Sequence, residues 1–250
     1  TETIYIPYAI HIDGQVVKLY DSVNHRLAPD DNASPRGTGA LRTHPRRDLR
    51  WLKIHRPFIM VGGELTLAGL DLVFDDVNKF YEAPFQVKAN GGILLIDDFG
   101  RQLVRPRDLL NRWIVPLENR IDYLTLHTGR KVEVPFDVMV VFSTNLPPKD
   151  LVDEAFLRRL RHKIEIGDPS FDTYRQIFQE VAEAKGIPFS EQGLAYLLQE
   201  WYIKPGRKLR SSHPRDLCDQ ILDISRFHGF EPAMTRELID RAAQSYFVEL

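Results

Sequence analysis

Two acidic residues follow directly on a short apolar run in Gly91-Gly92-Ile93-Leu94-Leu95-Ile96-Asp97-Asp98. Adjacent carboxylates at the end of a buried strand are costly unless a cation or a donor answers them. In open α/β sheets the carboxyl ends of the strands are where ligands bind. A metal ion coordinated through Asp97, with Asp98 polarising a water, uses both acids; the alternative is a strand-end turn through Asp98-Phe99-Gly100. A second apolar run, Val138-Met139-Val140-Val141-Phe142, ends in Ser143-Thr144-Asn145. An amide there can orient a water or touch a phosphate, or Thr144-Asn145-Leu146-Pro147-Pro148 simply turns the chain. Third is Arg158-Arg159-Leu160-Arg161, whose guanidinium forks suit phosphate, although most arginine clusters are solvated faces. Fourth is Arg215, in the first turn of a helix that Pro214 opens, where a helix start already attracts anions.

The elements that must position these residues follow from patterning. Ile4–Ile12 and Val16–Tyr20 flank Asp13-Gly14, a β-hairpin signal. Leu27–Asp48 is rich in Pro, Asp, Asn, Ser, Gly and Arg and reads as a long surface loop. Leu49–Leu72 is ambiguous, broken by Arg56-Pro57 and Gly62-Gly63. The runs before Asp97 and Asn145 suit strands buried on both faces. Between them lie a helix from about Pro106 to Arg120, which Pro116 should kink or end early, and a hairpin Tyr123–Val134. A short strand at Lys163-Ile164-Glu165-Ile166 closes this half. Strands alternating with helices indicate an α/β sheet covered by helices. From Gly167 the character changes: Ser170, Ser190, Pro214 and Thr235 each open an amphipathic helix. That divides the chain into 1–167 and a small all-helical domain, 168–250.

Composition sets the outer bounds. The chain has 250 residues with 33 Lys+Arg against 35 Asp+Glu, a formal charge of −2. This is no electrostatic footprint for nucleic acid, although a local basic patch would not show in the total. One cysteine, Cys218, excludes an internal disulfide and is consistent with a reducing, cytoplasmic compartment. No apolar run approaches the roughly 18 residues that span a bilayer. The chain opens Thr-Glu-Thr-Ile without an initiator methionine and reads as a fragment.

Order joins the four signals. Asp97, Asn145, Arg159 and Arg215 follow one another at spacings of 48, 14 and 56 residues. The series resembles the AAA+ ATPases over roughly residues 77–220. Gly91–Asp98 looks like the Walker B strand, Phe142–Asn145 like sensor 1, Phe156–Leu160 like the arginine-finger segment and Pro214–Leu217 like sensor 2. Phe85–Gly92 leading into Walker B and the Tyr123–Val134 hairpin resemble the clade with a β-hairpin before sensor 1. Enhancer-binding activators, magnesium chelatase subunits and MoxR-type ATPases belong to it.

The resemblance implies an αβα sandwich of the P-loop NTPase type, its N-terminal part missing, followed by a helical lid. It implies ATP and Mg²⁺ as ligands, and a homo-oligomeric ring, usually hexameric, that remodels a protein partner in chaperone-like fashion. Asp97 would hold Mg²⁺ through water, Asp98 would activate the attacking water, and Asn145 would position that water and the γ-phosphate. Arg159, or Arg158 one register away, would reach into the neighbouring subunit's site, and Arg215 would report nucleotide state to the lid. The second acid is usually Glu, so Asp98 is a departure. A larger departure is that no G-x-x-x-x-G-K-[ST] loop occurs: Gly37-Thr38-Gly39-Ala40 has no following lysine, and Lys204–Lys208 has the wrong place and order. The expectation is that the loop lies upstream of Thr1 and that this chain alone hydrolyses ATP weakly or not at all. A non-hydrolysing scaffold subunit and a nucleic-acid-acting AAA+ protein are the alternatives. A substrate-gripping loop would fall near Pro57–Leu72, where Leu65, Leu67 and Leu70 read as packing residues.

Overall fold

The computed structural model describes residues 2–29, 48, 50–151 and 154–247. The chain divides into two units, Thr1–His162 and Lys163–Leu250. The first contains strands β1 (Thr3–Pro7), β2 (Ala9–Ile12), β3 (Gln15–Lys18), β4 (Trp51–His55), β5 (Phe58–Val61), β6 (Val73–Asp75), β7 (Phe80–Glu82), β8 (Ile93–Ile96), β9 (Ile121–Thr125), β10 (Lys131–Pro135) and β11 (Met139–Phe142). Its helices are α1 (Phe85–Lys88), α2 (Pro106–Asn119), α3 (Pro148–Leu151) and α4 (Glu154–Leu157).

The centre is a three-stranded parallel sheet in the order β11-β8-β5. Phe58, Ile93 and Met139 lie side by side, and the register runs on to Val61, Ile96 and Phe142. Ile59, Val61, Leu94 and Ile96 bury one face against Leu109, Leu110 and Trp113 of α2, with Phe136 and Phe156. Gly92 at the mouth of β8 is needed for close approach. A Cβ there would stand 2.0 Å from the Pro57 carbonyl oxygen, which accepts the Ile93 N–H at 2.9 Å. Gly92→Ala is therefore expected to lower unfolding free energy by about 3 kcal/mol through overpacking. A denaturant midpoint matching wild type would contradict this.

Asp13 and Gly14 both have positive φ, +52° and +79°, as the two-residue turn joining β2 to β3 requires. The apolar stretch before that turn is two strands, not one. Pro7 has no N–H with which to continue a ladder, and β1 departs to pair antiparallel with β4. The β2-β3-β7-β6 sheet and the β9–β10 hairpin share a core of Val17, Tyr81, Leu124, Leu126, Val132 and Val134.

The ambiguous 49–72 stretch holds β4, β5 and a 3-10 turn at Ala68–Leu70. Leu65 and Leu70 are buried there, whereas Leu67 is exposed, so packing accounts for only two of the three leucines. The 27–48 loop lies mostly outside the described residues, as does the whole of Gly37–Ala40. Pro116 does not end α2 early. It sits in the last turn, and Arg120 closes the helix in a left-handed conformation (φ 59°) with its N–H on the Pro116 carbonyl. The strand expected at Lys163–Ile166 does not form, and Ile164 and Ile166 are 86% and 88% exposed. Alternation makes a strand only where a neighbour completes the ladder, and among the described residues none pairs with this segment.

His25 is buried, with Nε2 2.8 Å from the Lys88 carbonyl oxygen and Nδ1 accepting the Asp21 N–H at 3.0 Å. Only the neutral Nε2–H tautomer satisfies both. Burial lowers its pKa, so acidification protonates the unfolded chain first and stability falls as pH drops below about 6.5. Burial raises the Asp21 pKa, but hydrogen bonds from the Lys88 ammonium, the Val23 N–H and the Asn24 amide outweigh it and hold the carboxyl well below the usual range. Asp21 therefore acts only in stronger acid. The urea midpoint is expected to decline between pH 7 and pH 5, less steeply in His25→Gln; parallel slopes would refute the assignment.

In the second unit, helices α5 (Phe171–Ala184), α6 (Glu191–Leu198), α7 (His213–His228) and α8 (Arg236–Tyr246) surround Tyr174, Phe178, Leu197, Leu217, Ile221 and Ile239. Ser170, Ser190 and Thr235 cap α5, α6 and α8 by accepting N–H bonds from Thr173, Gly193 and Leu238. Gly229 ends α7 in a left-handed conformation. A π-helical turn, Gln199–Ile203, prolongs α6. It carries Tyr202, whose hydroxyl joins Tyr174 at 2.8 Å and His213 Nδ1 at 2.9 Å.

Candidate functional site

Because β8 and β11 are parallel, Asp97 and Ser143 emerge at the same edge of the sheet. Their continuations are stitched together. Ser143 N–H donates to the Ile96 carbonyl at 2.9 Å, and Phe99 N–H donates to the Ser143 carbonyl at 2.7 Å. Thr144 donates its hydroxyl to the Phe99 carbonyl at 2.7 Å and accepts the Leu146 N–H at 3.1 Å. Asn145, exposed between these anchored residues, is thereby fixed in the turn beside the acid pair.

The acids differ in their surroundings. Asp97 donates its N–H to Val61 of β5 at 2.8 Å, and its Oδ1 accepts the Asp98 N–H at 3.0 Å. Asp98 is exposed and its backbone is left-handed, φ 49°, a region open to Asp and Asn but unfavourable for longer side chains. Gln102 ties the turn off, donating to the Asp97 carbonyl and accepting the Gly100 N–H, both at 2.8 Å.

Gln102 and Thr144 carry no recognisable motif, and the sequence reading missed both. It also missed Glu64, a third carboxylate at this edge, which follows the β5 run Phe58–Val61 and Gly62-Gly63. The signal was an apolar run closed by glycines and an acid. The Gly62 N–H at 3.0 Å, with the Glu64 N–H, holds the Glu64 carboxyl below its ordinary pKa.

Asp97 and Asp98 are hard oxygen donors, and magnesium commonly takes one or two carboxylates while keeping several waters. Among the described residues no group of three or more His, Cys, Asp or Glu could cage a metal. Asp97 and Asp98 would suit an ion that keeps several of its waters.

The arginines lie elsewhere. Arg159 Nε meets Glu118 Oε1 at 2.7 Å, in the last turn of α2. That end of α2 lies beside the start of β11, where the Arg120 guanidinium reaches the Val138 carbonyl, whereas the acids follow the strands' carboxyl ends. A partly exposed pair of this kind is worth about 0–1 kcal/mol, little enough to yield to a phosphate. Arg158 is exposed. Arg215 belongs to the other unit, in the first turn of α7, with Nε 3.2 Å from Asp216 Oδ1. The structure thus brings Asp97, Asp98 and Asn145 together and places Arg158 and Arg159 apart from them.

Residues 170–245 match a family model described as a domain of unknown function, DUF8689. No curated protein matches the sequence. Among solved structures, NtrX from Brucella abortus in complex with ATP aligns at TM-score 0.51 and 18% identity, over 77% of this chain and 46% of that one. A second NtrX structure aligns at 0.50 and 19%, over 78% and 45%. A point mutant of RuvB from Thermotoga maritima aligns at 0.48 and 11%, over 76% and 54%. The chain spans less than half the length of these NtrX chains. What the likeness to NtrX shows is the fold, a mixed α/β architecture of the P-loop NTPase type.

Proposed function

We propose that this chain is the hydrolysis half of an AAA+ ATPase module, a working Mg²⁺-dependent enzyme when its phosphate-binding loop is supplied from outside residues 1–250. The observation that carries the reading is the stitched edge. Phe99–Ser143 and Thr144–Phe99 hydrogen bonds hold two carboxylates and one amide where an open parallel sheet binds ligands.

The Asp98 N–H fixes the Asp97 carboxylate, which would hold the metal through water. Asp98, exposed and unburdened by the strand ladder, accepts a proton from the attacking water. Asn145 orients that water by donating from its amide. When bound, Mg²⁺ neutralises charge on the transferring phosphate. Arg159, with Arg158 as the neighbouring register, serves an adjacent subunit's site. Its distance from Asp97 along α2 supports action between subunits, in a homo-oligomeric, hexameric ring that remodels a protein partner. Arg215, at a helix start in the second unit, reads the nucleotide from the lid, residues 168–250. The compartment in this reading is the cytoplasm; among the described residues no helix is long and apolar enough to cross a membrane.

The test is Mg²⁺-dependent phosphate release by the longer polypeptide that this reading requires, with and without Asp98→Asn. Turnover indifferent to that substitution overturns the reading.

A further inference from the structure

Between Trp201 and Arg215 stand Lys204, Arg207, Lys208, Arg210 and Arg215, and no Asp or Glu. Over the rest of residues 163–250 the acids outnumber the bases by more than two to one. The overall charge of −2 therefore conceals a sharp separation of charge within the second unit.

The fold fixes where these cations stand. They occupy the connection from the π-helical turn to α7. Gly206, left-handed at φ 68°, donates its N–H to the Ile203 carbonyl at 3.1 Å, and Arg207 N–H donates to the Tyr202 carbonyl at 2.8 Å. The Arg207 guanidinium donates to the Trp201 carbonyl at 2.5 Å and lies 3.8 Å from the centroid of the Phe247 ring. The Arg210 carbonyl accepts the His213 N–H at 3.1 Å, and the Arg210 charge acts on both His213 and Tyr246. Arg215 Nε is 3.2 Å from Asp216, which in turn accepts the Tyr246 hydroxyl at 2.8 Å. Arg207, Arg210 and Arg215 thus converge on His213, Tyr246 and Phe247, whose ring centroids are 4.9 to 5.5 Å apart.

Elsewhere in the unit the cations are answered. Arg175, Lys185, Arg226 and Arg241 pair with Glu191, Asp219, Asp223 and Glu237. Lys208 and Arg210 are exposed, and among the described residues neither has a carboxylate partner. Lys204 and Arg215 pair with Glu200 and Asp216 at exposed positions, where such pairs are weak enough to yield to a stronger anion. Crowded like charges repel one another, and a bound polyanion removes that repulsion.

We propose that the connection from Ile203 to Arg210, with the start of α7, is a binding surface for the phosphate backbone of duplex nucleic acid. Guanidinium forks match phosphate oxygens in pairs. A duplex presents one negative charge per about 1.7 Å of its axis, dense enough to engage several cations of one short connection. No free ring is offered for stacking a base, since Phe247 already stacks on Trp201 and carries the Arg207 guanidinium. The contacts are therefore made to backbone, are independent of sequence, and favour the duplex over a single strand with its lower charge density.

The test is fluorescence anisotropy of a labelled duplex of about 20 base pairs, titrated with the 250-residue chain at about 50 to 300 mM NaCl without nucleotide. Lys208→Ala combined with Arg210→Ala is expected to weaken binding more than about tenfold at 0.1 M salt and to reduce the slope of log K against log salt by about 1.8. Both side chains are exposed, so the thermal midpoint should stay at the wild-type value. Lys208→Arg with Arg210→Lys keeps the charges and should restore the slope. Arg226→Ala with Arg241→Ala removes the same charge at the far end of α7, where Arg241 meets His228 at 3.2 Å, and should leave the slope unchanged. Arg215 is not altered, because its proposed role is toward nucleotide.

Absence of duplex binding by the wild-type chain at the lowest salt overturns the proposal, as does an equal loss in the two alanine pairs. Tighter binding of the matching single strand overturns it too. Displacement of the duplex by poly-glutamate at equal charge concentration assigns the surface to an acidic polypeptide and overturns it likewise. The titration needs no ATP turnover, so its failure leaves the hydrolytic reading standing, and a wild-type titration curve from Asp98→Asn is expected whether or not that variant hydrolyses ATP.

Discussion

Asp98→Asn is expected to lower the kcat of Mg²⁺-dependent ATP hydrolysis by about 10²- to 10⁴-fold, the range that loss of a positioned general base costs. The amide keeps the shape of the side chain and cannot take a proton from water. Asn also tolerates the left-handed backbone that residue 98 adopts, so the thermal midpoint should stay at the wild-type value. Nucleotide affinity should change little, because in the proposed mechanism Asp98 acts on the attacking water. Asp97→Asn gives a different signature: its carboxylate is the one aligned by the Asp98 N–H, and its loss should raise the Mg²⁺ concentration needed for turnover. An Asp98→Asn enzyme with wild-type kcat would remove the acid from the mechanism.

The largest stability effect is expected away from the site, at Asp122. This carboxylate is 1% exposed. It accepts from Arg112 at 2.5 and 3.1 Å, from the Gln86 amide at 3.0 Å and from the Tyr123 N–H at 2.8 Å. It thus ties α1, α2 and β9 together in one polar cluster. Asp122→Ala removes every one of those acceptor bonds and leaves the part-buried Arg112 guanidinium with the Leu70 and Tyr123 carbonyls at 3.4 Å. Breaking a buried pair from one side costs about 3–5 kcal/mol. Urea unfolding of the first unit should show a loss of that size, and a loss under about 1 kcal/mol would show that water replaces the carboxylate freely.

Much of this could be read from residues because local and long-range signals agreed. The run Ile93–Ile96 is apolar at every position and forms a strand, though only Leu94 and Ile96 are buried while Ile93 and Leu95 are half-buried, and Asp97-Asp98 marks its exit. Ser170, Ser190 and Thr235 announced helices by the chemistry of their side chains, and each accepts the cap bond that its type predicts. The stretch 49–72 stayed ambiguous because Phe58–Val61 is only four residues long and follows a proline, too short a run to separate strand from helix. Lys163–Ile166 misled for the opposite reason. Its alternation is that of a strand, but pairing is not local, and nothing in four residues reveals whether a neighbour will be present. Gln102 and Thr144 were invisible because their work is done by bonds to backbone atoms that only the assembled turn brings within reach.

The left-handed φ of residue 98 bears on the choice of acid. A glutamate there would strain the main chain by about 1–2 kcal/mol and set its carboxylate one methylene farther from the strand. With the backbone held in this form by the bonds through Phe99 and Gln102, the shorter acid is the one that fits. In the proposed mechanism the reacting water would then sit closer to the sheet than a longer acid would allow. The departure from the usual residue is in that sense a matter of reach: main-chain geometry sets how far into solvent the proton acceptor extends.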